Sequence, residues 1–230
     1  MAGNINAQTA CTLHVTLADN ETTLAVLQLK NSFPTKPACL QYVQQLPAQL
    51  ATAGYISASV DSVAVDSSSV FILLFTGKKY AWEDVAVDEK DWYVLTQLGF
   101  NKTTFHNKPF DNGKVQQVYD VLLDYFANNG YPFAKVGLDS VAINNEGRVT
   151  AKLSIDRGFL YHIDGIIVTG NAKLSNNFLF NYLGIKPGNV YQQDKIDKIN
   201  QRLAELPYVE QAEPWRLTML NTGAVINIAI

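Results

Sequence analysis

No run of lysine or arginine occurs anywhere in the 230 residues, and the formal net charge is only −3 with a pI near 5.6. A nucleic-acid binder ordinarily carries a basic stripe to neutralise phosphates, so nucleic acid is set aside as a partner. No stretch approaches the ~20 apolar residues of a membrane-spanning helix. The start, MAGNINAQT (Met1–Thr9), has no apolar core and so shows no signal peptide. A mature fragment whose leader was left off would begin the same way. No phosphate-loop or dinucleotide glycine pattern occurs, and Gly77-Lys78-Lys79 is too short to be one. What is present is an ordinary globular balance, 47% hydrophobic and 17% charged.

The chain repeats itself. YAWEDVAV (80–87) and YHIDGIIV (161–168) carry Tyr80 over Tyr161, Trp82 over Ile163, Val85 over Ile166 and Val87 over Val168. A second element occurs three times: LATAGY (50–55), FANNGY (126–131) and LAELPY (203–208). A helical row precedes each: Leu40, Val43 and Leu50; Val115, Val118, Leu122 and Phe126; Ile196, Ile199, Leu203 and Leu206. Pro47 is expected to kink or shorten the first of these helices. Two strands follow the stop. Val60-Asp-Ser-Val63 and Leu138-Asp-Ser-Val141 share a one-residue slip of apolar phase, the mark of a β-bulge. Val70–Phe75 is apolar at every position and is expected to be covered on both faces. A further helix precedes the long one: Ser175 caps it in copy three, Asp88 in copy two, and copy one keeps a shortened counterpart near Thr22–Asn31. Each unit thus reads strand–helix–helix–strand–strand. The borders fall near Gly77 and Gly158, giving 10–77, 78–158 and 159–230. The last strand, AVINIAI (224–230), alternates and stops without a polar tail, as expected of a piece of a longer protein.

This arrangement resembles the POTRA (polypeptide-transport-associated) domain. Copy three carries the pattern through Gly170, Leu183, Gly188, Tyr191, Leu203 and Tyr208. Copy two follows through Phe110, Leu122 and FANNGYPFAKV (126–136), without the glycine after its first strand or before Phe110. Copy one matches in its second half. The resemblance implies an α+β fold of three tandem modules, each a three-stranded mixed sheet covered by two helices. It also implies the periplasmic part of a BamA/TamA-family outer-membrane protein, a surface-antigen-like array ahead of a membrane barrel that would follow Ile230. Its expected partners are unfolded or partly folded outer-membrane polypeptides and partner lipoproteins. Membrane contact would come only through that barrel. Two-partner secretion transporters, which also use POTRA domains, remain an alternative.

The physical warrant for such a role is an open sheet edge, where an incoming strand adds backbone hydrogen bonds without one fixed sequence. By resemblance the middle strand of a module is that edge. The expected binding residues are Ala134, Lys135, Val136, Gly137, Leu138, Asp139 and Val141, with a proline at Lys135 or Gly137 as the test. Trp215, beside Pro214, is a further edge aromatic. Trp82 and Trp92 are expected in cores. No catalytic site, metal site or cofactor is expected. His14, His106 and His162 fall in different copies, and Asp61 and Asp139 repeat, which favours a role in the bulge. A sugar-acting or sugar-binding surface protein, using the Asp139 or Trp215 region, is the rival of another class. A pure spacer is a third reading. In a periplasmic setting Cys11 and Cys39 either pair or stay as two buried thiols.

Overall fold

Alternating apolar residues build ten strands among the described residues, and these fall into three sheets. The computed structural model describes residues 10–170, 174–206, 209 and 211–230. The family-pattern residue Tyr208 lies outside them, as does Met1–Thr9. By Cα packing the chain divides into two compact units. One comprises the chain up to Ala86 with Phe100–Gln116 and Asp139–Lys152. The other comprises Val87–Gly99, Gln117–Leu138 and Leu153–Ile230. The dividing line passes through the middle sheet.

The first sheet is built from β1 (Cys11–Leu17), β2 (Ser32–Phe33), β3 (Ser59–Val65) and β4 (Ser69–Phe75), in the order β2-β1-β4-β3. β1 and β4 run parallel and β3 returns antiparallel. Two short pairs, Cys11 with Phe33 and Thr12 with Ser32, add β2 to the three expected strands. Two helices belong to this copy, α1 (Leu24–Leu27) and α2 (Lys36–Thr52). The shortened first helix is as expected. Thr35 caps α2 by accepting from the Ala38 N–H at 3.3 Å. Contrary to expectation, α2 runs on through Pro47 for 17 residues. Cys39, Val43, Leu46 and Leu50 all lie buried on its one face. That burial outweighs one missing backbone bond. β4 also departs from expectation. Val70, Ile72 and Leu74 are buried, but Phe71 is exposed and stacks on His14 at 4.7 Å. The second face is exposed at Phe71 and half-buried at Leu73 and Phe75.

Asp19 closes this unit. Its carboxylate accepts from the Thr76 N–H (2.7 Å), the Thr76 hydroxyl (2.9 Å) and the Gly77 N–H (2.9 Å). The Gly77 bond is the main reason that its pKa falls from the ordinary 3.8 to about 2. A depressed carboxylate pKa stabilises the fold above the unfolded value and loses that contribution as pH falls through the folded one. The melting temperature should therefore fall between about pH 4 and about pH 2, and Asp19→Asn should flatten that part of the curve. An unchanged acid limb in the D19N variant would remove Asp19 from the account.

The middle sheet contains β5 (Ala81–Val87), β6 (Lys135–Ile143) and β7 (Arg148–Asp156), ordered β5-β7-β6. Its helices are α3 (Glu89–Gln97) and α4 (Asn112–Asn128). Val115, Val118, Leu122 and Phe126 of α4 are all buried, as the helical period requires. Trp82 is core. Trp92 is only half-buried, because the inward face of α3 is made by Asp91, Val94 and Leu95. The third sheet has β8 (His162–Thr169), β9 (Glu213–Leu220) and β10 (Gly223–Ala229), ordered β8-β10-β9. α5 (Asn176–Leu183) is capped by Ser175, which accepts from the Phe178 N–H at 3.2 Å. The long helix of this copy is interrupted at Lys198 into α6 (Gln193–Asp197) and α7 (Ile199–Ala204). Ile196, Ile199 and Leu203 remain buried across the break.

The doubled strand has a structural counterpart. Phe110 donates its N–H to the carbonyl of Tyr80 (3.0 Å), and Tyr191 donates to that of Tyr161 (2.9 Å). The Gly-Tyr stops repeat as well. The Gly54 carbonyl accepts from the Tyr80 N–H at 2.9 Å, and the Gly130 carbonyl accepts from the Tyr161 N–H at 2.7 Å. Both glycines sit at positive φ, +99° and +92°. A Cβ at Gly54 would collide with the Tyr80 carbonyl, and one at Gly130 with Leu160 and Val190.

Candidate functional site

The last strand of each copy is interior to its sheet, and the strand before it lies at the edge: β3, β6 and β9. The hairpins fix which backbone groups face outward. The Asp66 N–H donates to the Ser69 carbonyl at 2.8 Å, so Asp66 faces β4. Alternation then turns the N–H groups of Val63 and Val65 to the open side. In the second hairpin the Asn144 N–H donates to the Arg148 carbonyl at 3.0 Å, and the Gly147 N–H donates to the Asn144 carbonyl at 3.1 Å. The same parity leaves the N–H groups of Val141 and Ile143 facing outward.

The bulge lies just before these positions in both strands. The β3 register shifts between Val60 and Ser62, and Ser140 of β6 has φ +53°. Ahead of the β6 bulge the edge is already covered: the Leu138 N–H donates to the Tyr119 phenol of α4. Burial pushes that phenol up in pKa, and the Leu138 bond pulls the other way. Alternation from Leu138 turns the Lys135 and Gly137 N–H groups toward β7, so neither is an outward donor. Ala134 precedes the strand, its N–H donating to the Tyr131 carbonyl at 3.2 Å. Val136 and Gly137 are half-buried, and Asp139 is exposed.

The open half carries apolar side chains. Val63 and Val65 are 48% and 51% exposed; Val141 and Ile143 are 53% and 57% exposed. Val63 lies opposite buried Ile72, and Val65 opposite buried Val70. Directly opposed residues share a face, so both valines stand on the covered side of the sheet beyond its cover. Val63, Val65 and Ile143 were absent from the expected site. Their signal was the DSVAV and DSVAI repeat, with β-branched residues at alternate places after the slip. In the third copy Trp215, Leu217 and Met219 of β9 pack partly buried against their core.

The remaining candidates are dispersed. His14 stacks on Phe71 of the first sheet. His106 pairs its Nδ1 with the Glu83 carbonyl at 2.8 Å. His162 opens β8. Among the described residues no cluster of His, Cys, Asp and Glu is placed to hold a metal. Cys11 and Cys39 are buried thiols of one core. Burial, with the Cys11 thiol as hydrogen-bond partner, pushes Cys39 up to about 11.

Repeated hairpins on small sheets, each with its first strand at the sheet edge, define a tandem array of small α+β modules. Residues 161–228 match the POTRA family model, described as surface antigen variable number repeat. The chain is 26% identical over 179 residues to the outer membrane protein assembly factor BamA of Nitratidesulfovibrio vulgaris, covering 70% of this chain and 21% of that protein. It is 27% identical over 127 residues to BamA of Buchnera aphidicola subsp. Acyrthosiphon pisum, covering 53% and 19%. The chain thus spans about a fifth of the length of these relatives. A crystal structure of Haemophilus influenzae BamA POTRA domains 3–5 superposes with a TM-score of 0.52 at 15% identity, covering 99% of both chains. The whole chain therefore has the fold of tandem POTRA domains.

Proposed function

We propose that this chain is the periplasmic, non-enzymatic part of an outer-membrane β-barrel protein. Its modules, 10–77, 78–158 and 159–230, receive outer-membrane polypeptides by strand addition, with partner lipoproteins docking on the array. The relatives named as BamA support the setting. The observation that carries the mechanism is the pairing of outward N–H groups with half-exposed Val141 and Ile143 on β6. An added strand with alternating apolar residues satisfies the first and buries the second. No helix among the described residues is long and apolar enough to cross a membrane.

Val141→Pro removes an outward N–H and leaves the β7 ladder intact, as an edge proline does. Binding of an extended peptide with alternating apolar residues, followed by amide shifts in NMR, should weaken about tenfold or more. Val63→Pro in β3 is the parallel variant for the first copy. Shifts confined to helices, or binding untouched by both prolines, would defeat strand addition. No binding of any peptide would favour a spacer.

A further inference from the structure

The chain has only two cysteines, and the fold brings them together. Cys11 opens β1, where it pairs with Phe33. Cys39 is fixed in the first turn of α2, its N–H donating to the Thr35 carbonyl at 3.2 Å. α2 packs on β1, and the Cys11 thiol is the hydrogen-bond partner of the Cys39 thiol. Both side chains are sealed from solvent, at 1% and 0% exposure. A core needing only small apolar fillers at these two places would be served by alanine or valine.

The stretch between the two cysteines is lightly held. α1 buries none of its residues, and Leu24 and Val26 stand exposed on it. β2 joins β1 through two pairs alone. A covalent link from Cys11 to Cys39 closes this stretch into a loop, which removes many conformations from the unfolded chain.

We infer that Cys11 and Cys39 form a structural disulfide, made before α2 closes on β1. This rests on the periplasmic setting proposed above, because an oxidising compartment supplies the oxidant. That oxidant is a disulfide of a second molecule. The thiolate of one cysteine attacks it, forming a mixed disulfide and releasing one thiol. The other cysteine then attacks the mixed disulfide and releases the second thiol. The two cysteines lose two protons and two electrons, and the donor's disulfide is reduced to two thiols. The folded core obstructs both attacks, since neither sulfur is exposed. Burial also pushes the Cys39 thiol up to about 11, which leaves little thiolate. Once made, the bond is hidden from reductants by the same burial.

The test starts from the full chain, reduced and unfolded in urea. One portion is refolded with oxidised glutathione and another with a thiol reductant. Each is then denatured, treated with iodoacetamide and weighed. The first should carry no alkyl group and the second two. Amide exchange in β1 and β4 should be about 100-fold slower in the oxidised chain. Cys11→Ala with Cys39→Ala should exchange alike under both conditions, which separates the bond from the packing of the sulfurs. Reduced chain that is already folded should react with oxidised glutathione at least tenfold more slowly than unfolded chain. Two alkyl groups or two bound glutathiones after oxidative refolding would overturn the bond, as would an oxidised chain whose β1 and β4 lose protection. Equal rates for folded and unfolded chain would overturn the order of events. Because the test supplies its own oxidant, a missing bond leaves the periplasmic reading standing.

Discussion

Leu203→Ala is expected to cost the third sheet about 2–5 kcal/mol, the usual range for truncating a buried leucine. Leu203 sits in a core with Ile163, Ile166, Leu179, Ile199, Ile226 and Ile228. The first sheet has a separate core, built on Leu13, Val43, Leu46, Val70 and Ile72. No residue is common to the two, so the damage should stay local. Amide exchange should show β8–β10 losing protection while β1 and β4 keep theirs. Equal loss in both sheets would mean that the two cores unfold as one.

Arg157→Ala should be comparably damaging, at about 3 kcal/mol, for an electrostatic reason. Asp91 of α3 is 2% exposed and accepts from Arg157 Nη2 at 2.7 Å. The guanidinium also lies over the Phe126 ring, 5.4 Å from its centroid. Removing Arg157 leaves a carboxylate in the core without its counter-ion. Replacing both partners by apolar residues, Asp91→Leu with Arg157→Met, should recover most of the loss. Urea denaturation of the single and double variants measures this. A double variant no better than Arg157→Ala would show that packing, and not the stranded charge, sets the cost.

Much of this fold is legible in the sequence because burial imposes periods. Val115, Val118, Leu122 and Phe126 read as one helix face and are one. The Asp-Ser slip reads as a bulge because an extra residue reverses strand parity, and the structure places irregularities at Asp61 and Ser140. The misreadings have physical reasons too. An apolar run such as Val70–Phe75 does not say whether its second face is covered; Phe71 instead stacks on His14 at the surface. Pro47 reads as a helix breaker, but buried Val43, Leu46 and Leu50 hold α2 helical through it. The direction of an edge N–H depends on hairpin bonds such as Asn144 to Arg148, and on Tyr119 reaching Leu138 from another element. Neither has a local signature.

The glycine carbonyls that receive Tyr80 and Tyr161 also set an order of events. Gly54 and Gly130 close helices that lie wholly upstream of the tyrosines they hold. A chain delivered N-terminus first therefore offers each acceptor before its donor arrives, and each finished helix becomes a template for the next strand. The stretch from Gly54 to Tyr80 is shorter than that from Gly130 to Tyr161, yet the same bond closes both. Hairpin length between the two points thus differs from copy to copy while the closing bond is kept.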